Sequence, residues 1–286
     1  LAEMGLHGLC LPREFGGMNA PLMVYMLNAE LFARADVSLM THHSFHGGIA
    51  LALLFYSVME GSTEFDFDTM TLAKSRFKEV IEEICEGKAW GSMDITEPNA
   101  GSDMAALRCK GECDADGQWT VTGEKCFITS GHGKYHLVIA RTEPDEGATE
   151  GLKGLSFFLV PGYEDTPEGR KRFVRVETLE EKIGHKNSAT CTVVFDRSPA
   201  HLIGKRGEGF KYMLLLMNNA RLGVGFEGLG TCEAAYRMSR DYAAERVSMG
   251  KTIDKHEMIA DYLDEMKTDV QAIRALTITA TEYNEL

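Results

Sequence analysis

No apolar run in this chain is long enough to cross a bilayer. The longest, Ile49 to Tyr56, spans eight residues, where a membrane helix needs about twenty. Positive charge is also short: 30 Lys+Arg stand against 43 Asp+Glu, a formal net charge of −13. That balance argues against a nucleic-acid or anionic-membrane surface. Seven scattered cysteines (Cys10, Cys85, Cys109, Cys113, Cys126, Cys191, Cys232) are odd in number and fit a reducing compartment better than a disulfide framework. Cys109 and Cys113 have no second ligand pair at zinc spacing, and Cys113 opens a Cys-Asp-Ala-Asp-Gly turn. His42 and His46, with His43 beside them, lack the H-E-x-x-H pattern and read as pocket-lining or surface histidines. No metal site is expected. No internal repeat or low-complexity segment is present. The chain opens at Leu1 with neither Met nor a signal-peptide pattern, and reads as a piece of a longer sequence.

What is present is an ordinary globular composition, 44% hydrophobic and 26% charged over 286 residues, with ample material for a core. Periodicity divides the chain into three zones and gives an α+β fold. Residues 1–91 read as a helical domain. Pro21 stands where a helix can begin, and Leu22, Tyr25, Met26, Ala29 and Phe32 recur at three- and four-residue steps. Further helices are expected over Ser38 to Tyr56 and Met70 to Cys85, with an acidic loop from Glu60 to Asp68 between them. Residues 92–202 switch to period two and read as a mostly antiparallel, barrel-like β-domain, with a hairpin turn at Asp116-Gly117. Its connection from Thr142 to Lys153 reads as polar and mobile. Residues 203–286 return to helix, and Ile259, Leu263, Met266, Val270 and Ile273 form a seam that needs a partner helix.

Two segments carry chemistry. Met93-Asp94-Ile95-Thr96-Glu97-Pro98-Asn99-Ala100-Gly101-Ser102-Asp103 is a strand running into a tight Gly-Ser turn. Lys125-Cys126-Phe127-Ile128-Thr129-Ser130-Gly131 ends a second strand about two dozen residues later. Gly in a turn lets backbone N–H groups approach a phosphate, and Ser adds a hydroxyl donor. A cofactor with a pyrophosphate and a flat ring suits that pair. In this order and spacing the segments resemble the flavin-binding β-domain of the acyl-CoA dehydrogenase family, with its T-E-P-x-A-G-S-D stretch and later aromatic-I-T stretch. The α, β, α order resembles that family along nearly the whole chain.

The resemblance implies FAD as cofactor, with Met93, Ile95 and Thr96 along the isoalloxazine and Gly101 and Ser102 near the pyrophosphate and substrate. Phe127, Ile128 and Thr129 match the second flavin segment. Phe127 stands where Trp is usual, and Thr129 is the donor on the N5 side. Ser188 matches a CoA-contacting serine, Arg221 an arginine holding the CoA moiety, and Asn218 a position often occupied by Asp. Arg246 and Ser248 match a segment reaching the flavin of a neighbouring subunit, which implies a homodimer or homotetramer. Glu257 replaces the usual Gln there. Lys182, Lys186, Lys205, Arg206, Lys211 and Arg221 offer the basic patch that a polyanionic thioester needs. An electron-transfer flavoprotein is the implied electron acceptor, and a bacterial cytoplasm, ahead of a mitochondrial matrix, the implied setting.

The implied reaction is α,β-desaturation of an acyl-CoA. A carboxylate takes the α-proton while the β-hydride moves to flavin. In most of the family that Glu lies in the C-terminal bundle, which here would fall beyond Leu286. In a minority it precedes the arginine, and here that position is Ala220. Glu227 is the candidate within the chain, yet seven helical residues put it about 10 Å further along. A flavin oxidase or monooxygenase on the same scaffold, and a catalytically silent partner subunit, are the alternatives. Re-oxidation by oxygen and a Glu in the full-length C-terminal part discriminate them. The Asn218–Gly225 stretch resembles a branch that includes methylthioacyl-CoA and some longer-chain dehydrogenases.

Overall fold

The computed structural model of the chain describes residues 1–285. In order the elements are α1 (Leu22–Ala35), α2 (Val37–Met59), β1 (Glu64–Asp66), β2 (Thr71–Lys74), α3 (Lys78–Cys85), β3 (Gly91–Asp94), β4 (Lys110–Cys113), β5 (Trp119–Thr129), β6 (Tyr135–Arg141), β7 (Leu155–Pro161), β8 (Tyr163–Thr166), β9 (Gly169–Arg172), β10 (Val174–Leu179), β11 (Thr190–Ile203), α4 (Gly209–Glu245), β12 (Val247–Ser248), β13 (Lys251–Thr252) and α5 (Glu257–Glu285). The chain forms two compact units, one of residues 1–19 and 45–218, the other of residues 20–44 and 219–286.

The first unit is built on a seven-stranded sheet. Its order is β10-β11-β5-β4-β6-β3, and β7 pairs with both β11 and β6, so β11, β5, β4, β6 and β7 close a ring. Inside it, Val121, Ile128, Val138, Phe158, Val193 and Phe195 are buried together. Strands β6 and β7 are buried on both faces apart from their last residues, which is why they read as continuous apolar runs. The sheet is mostly antiparallel, as expected, with two parallel pairings, β3 with β6 and β4 with β6. β3 runs parallel to β6, with Ser92 opposite His136 and Asp94 opposite Val138. The intervening β4–β5 hairpin supplies the crossover that a parallel pair requires.

Three local readings change. Glu60–Asp68 is not simply a loop, because β1 and β2 pair antiparallel. Asp66 Oδ1 accepts the N–H groups of Asp68 and Thr69 at 2.9 and 3.2 Å and reverses the chain between them. Helix α3 consequently starts at Lys78, eight residues after Met70. The 142–153 connection folds into two short 3₁₀ turns, Gly147–Thr149 and Gly151–Gly154, tied by Gly151 N–H to Asp145 Oδ1 at 2.7 Å.

In the second unit, α1 buries Tyr25, Met26 and Ala29 as its periodicity predicts. Asp36 caps the helix that follows by accepting the N–H groups of Ser38 and Leu39. Gly230 lets α4 approach α1, since a Cβ there would lie 2.6 Å from the Ala33 Cβ. Arg274 of α5 donates to Glu30 at 2.5 Å and to Glu233 at 3.1 Å, and Arg237 also donates to Glu233. Along the α5 seam only Val270 is fully buried; Ile259, Leu263, Met266 and Ile273 are half-covered. No helix among the described residues is long and apolar enough to cross a membrane.

Candidate functional site

The two sequence segments meet in the first unit. Strand β3 ends at Asp94, and the chain continues past Ile95 and Thr96 beside β5. The Cys126 N–H donates to the Thr96 carbonyl at 2.9 Å, and Lys125 Nζ donates to the Ile95 carbonyl at 2.8 Å. Lys125, fully buried, also pairs with Glu97 Oε1 at 2.8 Å. Glu97 in turn accepts the N–H groups of Arg108 and Cys109 at 2.7 and 3.0 Å. Burial pushes the Glu97 carboxyl up, but Lys125 and the two N–H donors more than offset it, so the group is held below its ordinary value. The Thr-Glu-Pro-Asn-Ala turn is closed by reciprocal backbone bonds between Glu97 and Ala100, 2.9 and 3.1 Å long.

Beyond that turn Gly101 and Ser102 are exposed. Neither gives its N–H to a backbone carbonyl among the described residues. A Cβ on Gly101 would meet nothing closer than the Thr96 Cγ2 at 3.9 Å. The protein itself therefore does not need glycine there; the open space suits an outside group approaching the backbone. Met93, Ile95 and Thr96 are half-buried around this opening.

Phe127 is 64% exposed with φ 60°, and Ser130 has φ 58°. A bulky residue in the left-handed region is a genuine outlier and costs on the order of 1–3 kcal/mol. Such strain persists where the surroundings over-determine it, and here the flanking residues are held by β11. Ile128 is opposite Cys191 and Thr129 opposite Thr190, and the Ser130 N–H donates to the Ala189 carbonyl at 2.9 Å. The Ile128 side chain is buried in the core, its carbonyl accepts the Gly131 N–H at 3.2 Å, and Thr129 beside it is half-buried.

That pairing brings in the third segment. Ser188 is buried next to Ala189, and its Oγ, like the Oγ of Ser130, is buried without a hydrogen-bond partner. Orphaned hydroxyls of this kind call for a ligand or water. They agree with a polar group bound alongside Thr129, as do the bare Gly101 turn and the exposed aromatic at 127, and the donor set fits a flavin with a pyrophosphate. Lys182 is used locally: its ammonium donates to the Ser188 carbonyl at 2.5 Å and to Thr190 Oγ1 at 2.8 Å, and burial lowers its amine's pKa. Arg206 is likewise engaged, by Glu143 and the Thr142 carbonyl.

The remaining sequence-derived residues lie outside this cluster. Asn218 is exposed at the end of the first unit. In the second unit Arg221 is exposed on α4, and Glu227 is half-buried on the same helix. Arg246 and Ser248 are exposed at the β12–β13 turn, where the Ser248 carbonyl lies 3.1 Å from His256 Nε2. Three buried groups next to the flavin-like segment were not anticipated: Ser92, Asp94 and His136. The signal was present as two polar residues alternating with Met93 and Ile95 on a strand whose other face is core.

Family models of the acyl-CoA dehydrogenase N-terminal, middle and C-terminal domains match residues 1–60, 92–198 and 207–285. The 3-methylmercaptopropionyl-CoA dehydrogenase of Ruegeria pomeroyi is 32% identical over 255 residues, covering 86% of this chain and 40% of that protein. The acryloyl-CoA reductase (NADH) of Anaerotignum propionicum is 31% identical over 285 residues, covering 96% of this chain and 65% of that one. The chain thus spans less than two thirds of either relative's length. The solved structure of butyryl-CoA dehydrogenase from Megasphaera elsdenii matches with a TM-score of 0.84 at 25% identity, covering 99% of this chain and 70% of that chain. All three matched segments are in the family's order, and the middle one contains the cluster of strained and orphaned groups: the chain belongs to the acyl-CoA dehydrogenase family.

Proposed function

We propose that this protein is an FAD-dependent acyl-CoA dehydrogenase that introduces an α,β double bond into an acyl-CoA thioester. The observation that carries the reading is the meeting of the two segments: Thr96 and Cys126 bonded backbone to backbone, with Phe127 and Ser130 held left-handed and Ser130 and Ser188 left with orphaned hydroxyls. The division into residues 1–91, 92–202 and 203–286 is retained as the domain proposal.

When bound, FAD supplies a two-electron hydride acceptor. Met93, Ile95 and Thr96 would hold its ring system, Phe127 would give a flat apolar wall, and the Ile128 backbone and Thr129 hydroxyl would supply polar contacts. The Thr129 hydroxyl would be a donor to the bound flavin, stabilising the electron-rich reduced ring. The turn at Gly101 and Ser102 offers N–H groups and a hydroxyl to the pyrophosphate, and Ser102 is shared with substrate. Ser188, Asn218 and Arg221 bind the CoA portion, the arginine by bidentate hydrogen bonds to phosphate. Arg246 and Ser248 serve the flavin of a second copy in a homodimer or homotetramer. Ala220 denies the helix before Arg221 a carboxylate, and Glu227 is too far along it to substitute directly; none of the described residues is assigned as the base. An electron-transfer flavoprotein is the proposed acceptor and the cytoplasm the proposed setting.

Protein expressed from its native gene should purify with FAD, or take it up non-covalently, and its flavin absorbance should bleach anaerobically with an acyl-CoA. A folded protein that neither carries nor takes up FAD would sink the reading. Bleaching across an acyl chain-length series would name the substrate.

A further inference from the structure

The segment that carries Ser188 is held by a side chain to which the reading above gives no task. Residues 180–189 join β10 to β11, and the base of this loop is closed by the Glu180 N–H, which donates to the Thr190 carbonyl at 2.8 Å. Beyond the base the loop has little apolar cover. Ile183 is wholly exposed, and Gly184, Lys186 and Asn187 beside it are exposed. A loop with so few buried contacts belongs to the easily opened part of a fold, yet its far end is fixed, for Ser188 is buried. Lys182 crosses the loop to that end. Its Nζ donates to the Ser188 carbonyl at 2.5 Å and to Thr190 Oγ1 at 2.8 Å. An ammonium has three N–H donors and a neutral amine two, so both bonds stand in either state.

Peptide planes show what the contact does. The Ser188 N–H donates to the His185 carbonyl at 3.0 Å, which fixes the plane before Ser188. Lys182, bonded to the Ser188 carbonyl, fixes the plane after it. The next carbonyl, that of Ala189, accepts the Ser130 N–H at 2.9 Å and ties the corner to the end of β5. Because peptide groups are rigid, the two planes that flank Ser188 set its φ and ψ, and these angles with χ1 aim its Oγ. The hydroxyl has no hydrogen-bond partner of its own among the described residues, so the backbone alone directs it. A cavity of about 350 Å³, lined by Lys182, Lys186, Ser188 and Thr190 among others, opens at this corner.

We propose that Lys182 is a positioning residue for substrate binding: it fixes the peptide plane that follows Ser188 and so aims the Ser188 hydroxyl at the CoA portion of the thioester. The proposal rests on the reading of Ser188 as a CoA contact. It gives Lys182 a different task from the one its charge suggests in the sequence, where it counts toward a basic patch for the CoA phosphates. Here its donors are spent inside the loop, and it acts on the substrate through the serine. Removing the lysine frees one of the two planes that orient Ser188 while leaving the hydroxyl in place. Removing the hydroxyl leaves the lysine nothing to aim.

A double-mutant cycle tests this. Coenzyme A, which has no acyl chain to desaturate, is titrated calorimetrically into the protein expressed from its native gene and into its Ser188→Ala, Lys182→Met and doubly substituted variants. Each single substitution should weaken binding on the order of tenfold, and the double variant should bind no more weakly than Ser188→Ala alone. Losses that multiply in the double variant would make Lys182 a direct phosphate contact and overturn the proposal. Parental affinity in Lys182→Met, with Ser188→Ala weakened, would overturn it as well. If Ser188→Ala binds as the parent does, the CoA reading of Ser188 fails instead, and hydrogen exchange in the ligand-free protein judges the lysine separately. The Ser188 amide should exchange faster in Lys182→Met than in the parent; unchanged exchange would show that Lys182 does not hold the loop.

Discussion

The two compact units both bury charge, and they do so under different dielectric conditions. In the β unit the Lys125 side chain is 0% exposed and its partner Glu97 is buried with it; every polar atom they present has a backbone or side-chain partner. In the helical unit Glu30 and Glu233 are buried, but the Arg274 that joins them is 33% exposed and Arg237 is 48% exposed. Water reaches one side of the helical network and neither side of the β pair. Deleting a cation should therefore cost much more in the β unit, because the carboxylate left behind has no solvent to turn to.

Lys125→Met is the sharpest test of that difference. It strands Glu97 in the core and removes the donor that holds the Ile95 carbonyl, so destabilisation of about 3–5 kcal/mol is expected. Arg274→Met should cost less, roughly 1–2 kcal/mol after allowing for solvent screening. Urea denaturation of both variants checks it. Equal losses would mean that burial of the side chain does not set the cost here, and the contrast between the units would collapse.

Acid sharpens the same point. The folded-state Glu97 carboxyl is held below its ordinary value, despite the burial that opposes this, by Lys125 and the Arg108 and Cys109 N–H groups. A depressed carboxyl contributes stability above its unfolded pKa and loses it as pH falls through the folded value. Stability should thus decline on the acid side of the ordinary carboxylate range. Glu97→Gln should flatten that decline at the expense of stability near neutral pH. Unfolding midpoints recorded from pH 7 down to pH 3 measure it; an unchanged acid slope in Glu97→Gln would assign the decline to other groups, Glu233 among them.

Legibility from sequence follows a similar divide. Strands β5, β6, β7 and the first half of β11 are visible as period-two or apolar runs of five residues or more, at 119–128, 137–141, 155–160 and 191–196, while the structure extends β11 to Ile203. The β1–β2 hairpin is not, since three- and four-residue strands carry too little period to separate from a helix start. Of the proposed site, Thr96, Gly101, Phe127 and Thr129 stand in local strings that sequence alone displays. Asp94 and His136 are 42 residues apart, and only the parallel register of β3 with β6 joins them. Motif strings report contiguous chemistry; pairings made by register stay silent until the sheet is known. The orphaned Ser130 belongs with the second kind, because its hydroxyl's isolation is a matter of burial in the folded sheet.

The proposed chemistry gives two smaller tests, one in each unit. Thr129→Val removes the hydroxyl on the outer face of β5 while preserving a β-branched shape suited to the strand. Its proposed partner gains electron density only as hydride arrives, so the loss should fall on the rate of flavin reduction, about 1–3 kcal/mol of barrier, with acyl-CoA affinity little changed. Single-turnover reduction by stopped flow separates the two. A normal rate with weakened binding would move Thr129 from the reacting atoms to substrate contact.

Arg221→Ala should show the opposite division, with the smaller effect. The arginine is exposed on α4, in a chain whose net charge of −13 repels a polyanionic thioester at long range. A local guanidinium offsets that repulsion by direct bonds to phosphate, and an exposed contact of this type weakens as salt shortens the Debye length from about 30 Å at 0.01 M to about 8 Å at physiological ionic strength. Affinity for an acyl-CoA should therefore drop on the order of tenfold at low salt and by much less at 0.15 M, while the reduction rate at saturating substrate stays near that of the parent. Isothermal titration at the two salt concentrations, paired with stopped-flow reduction, reads both quantities. If parent and variant bind equally at low salt, Arg221 belongs to the surface of α4 alone. The proposed CoA site would then rest on residues of the β unit, with Ser188 the group to test next.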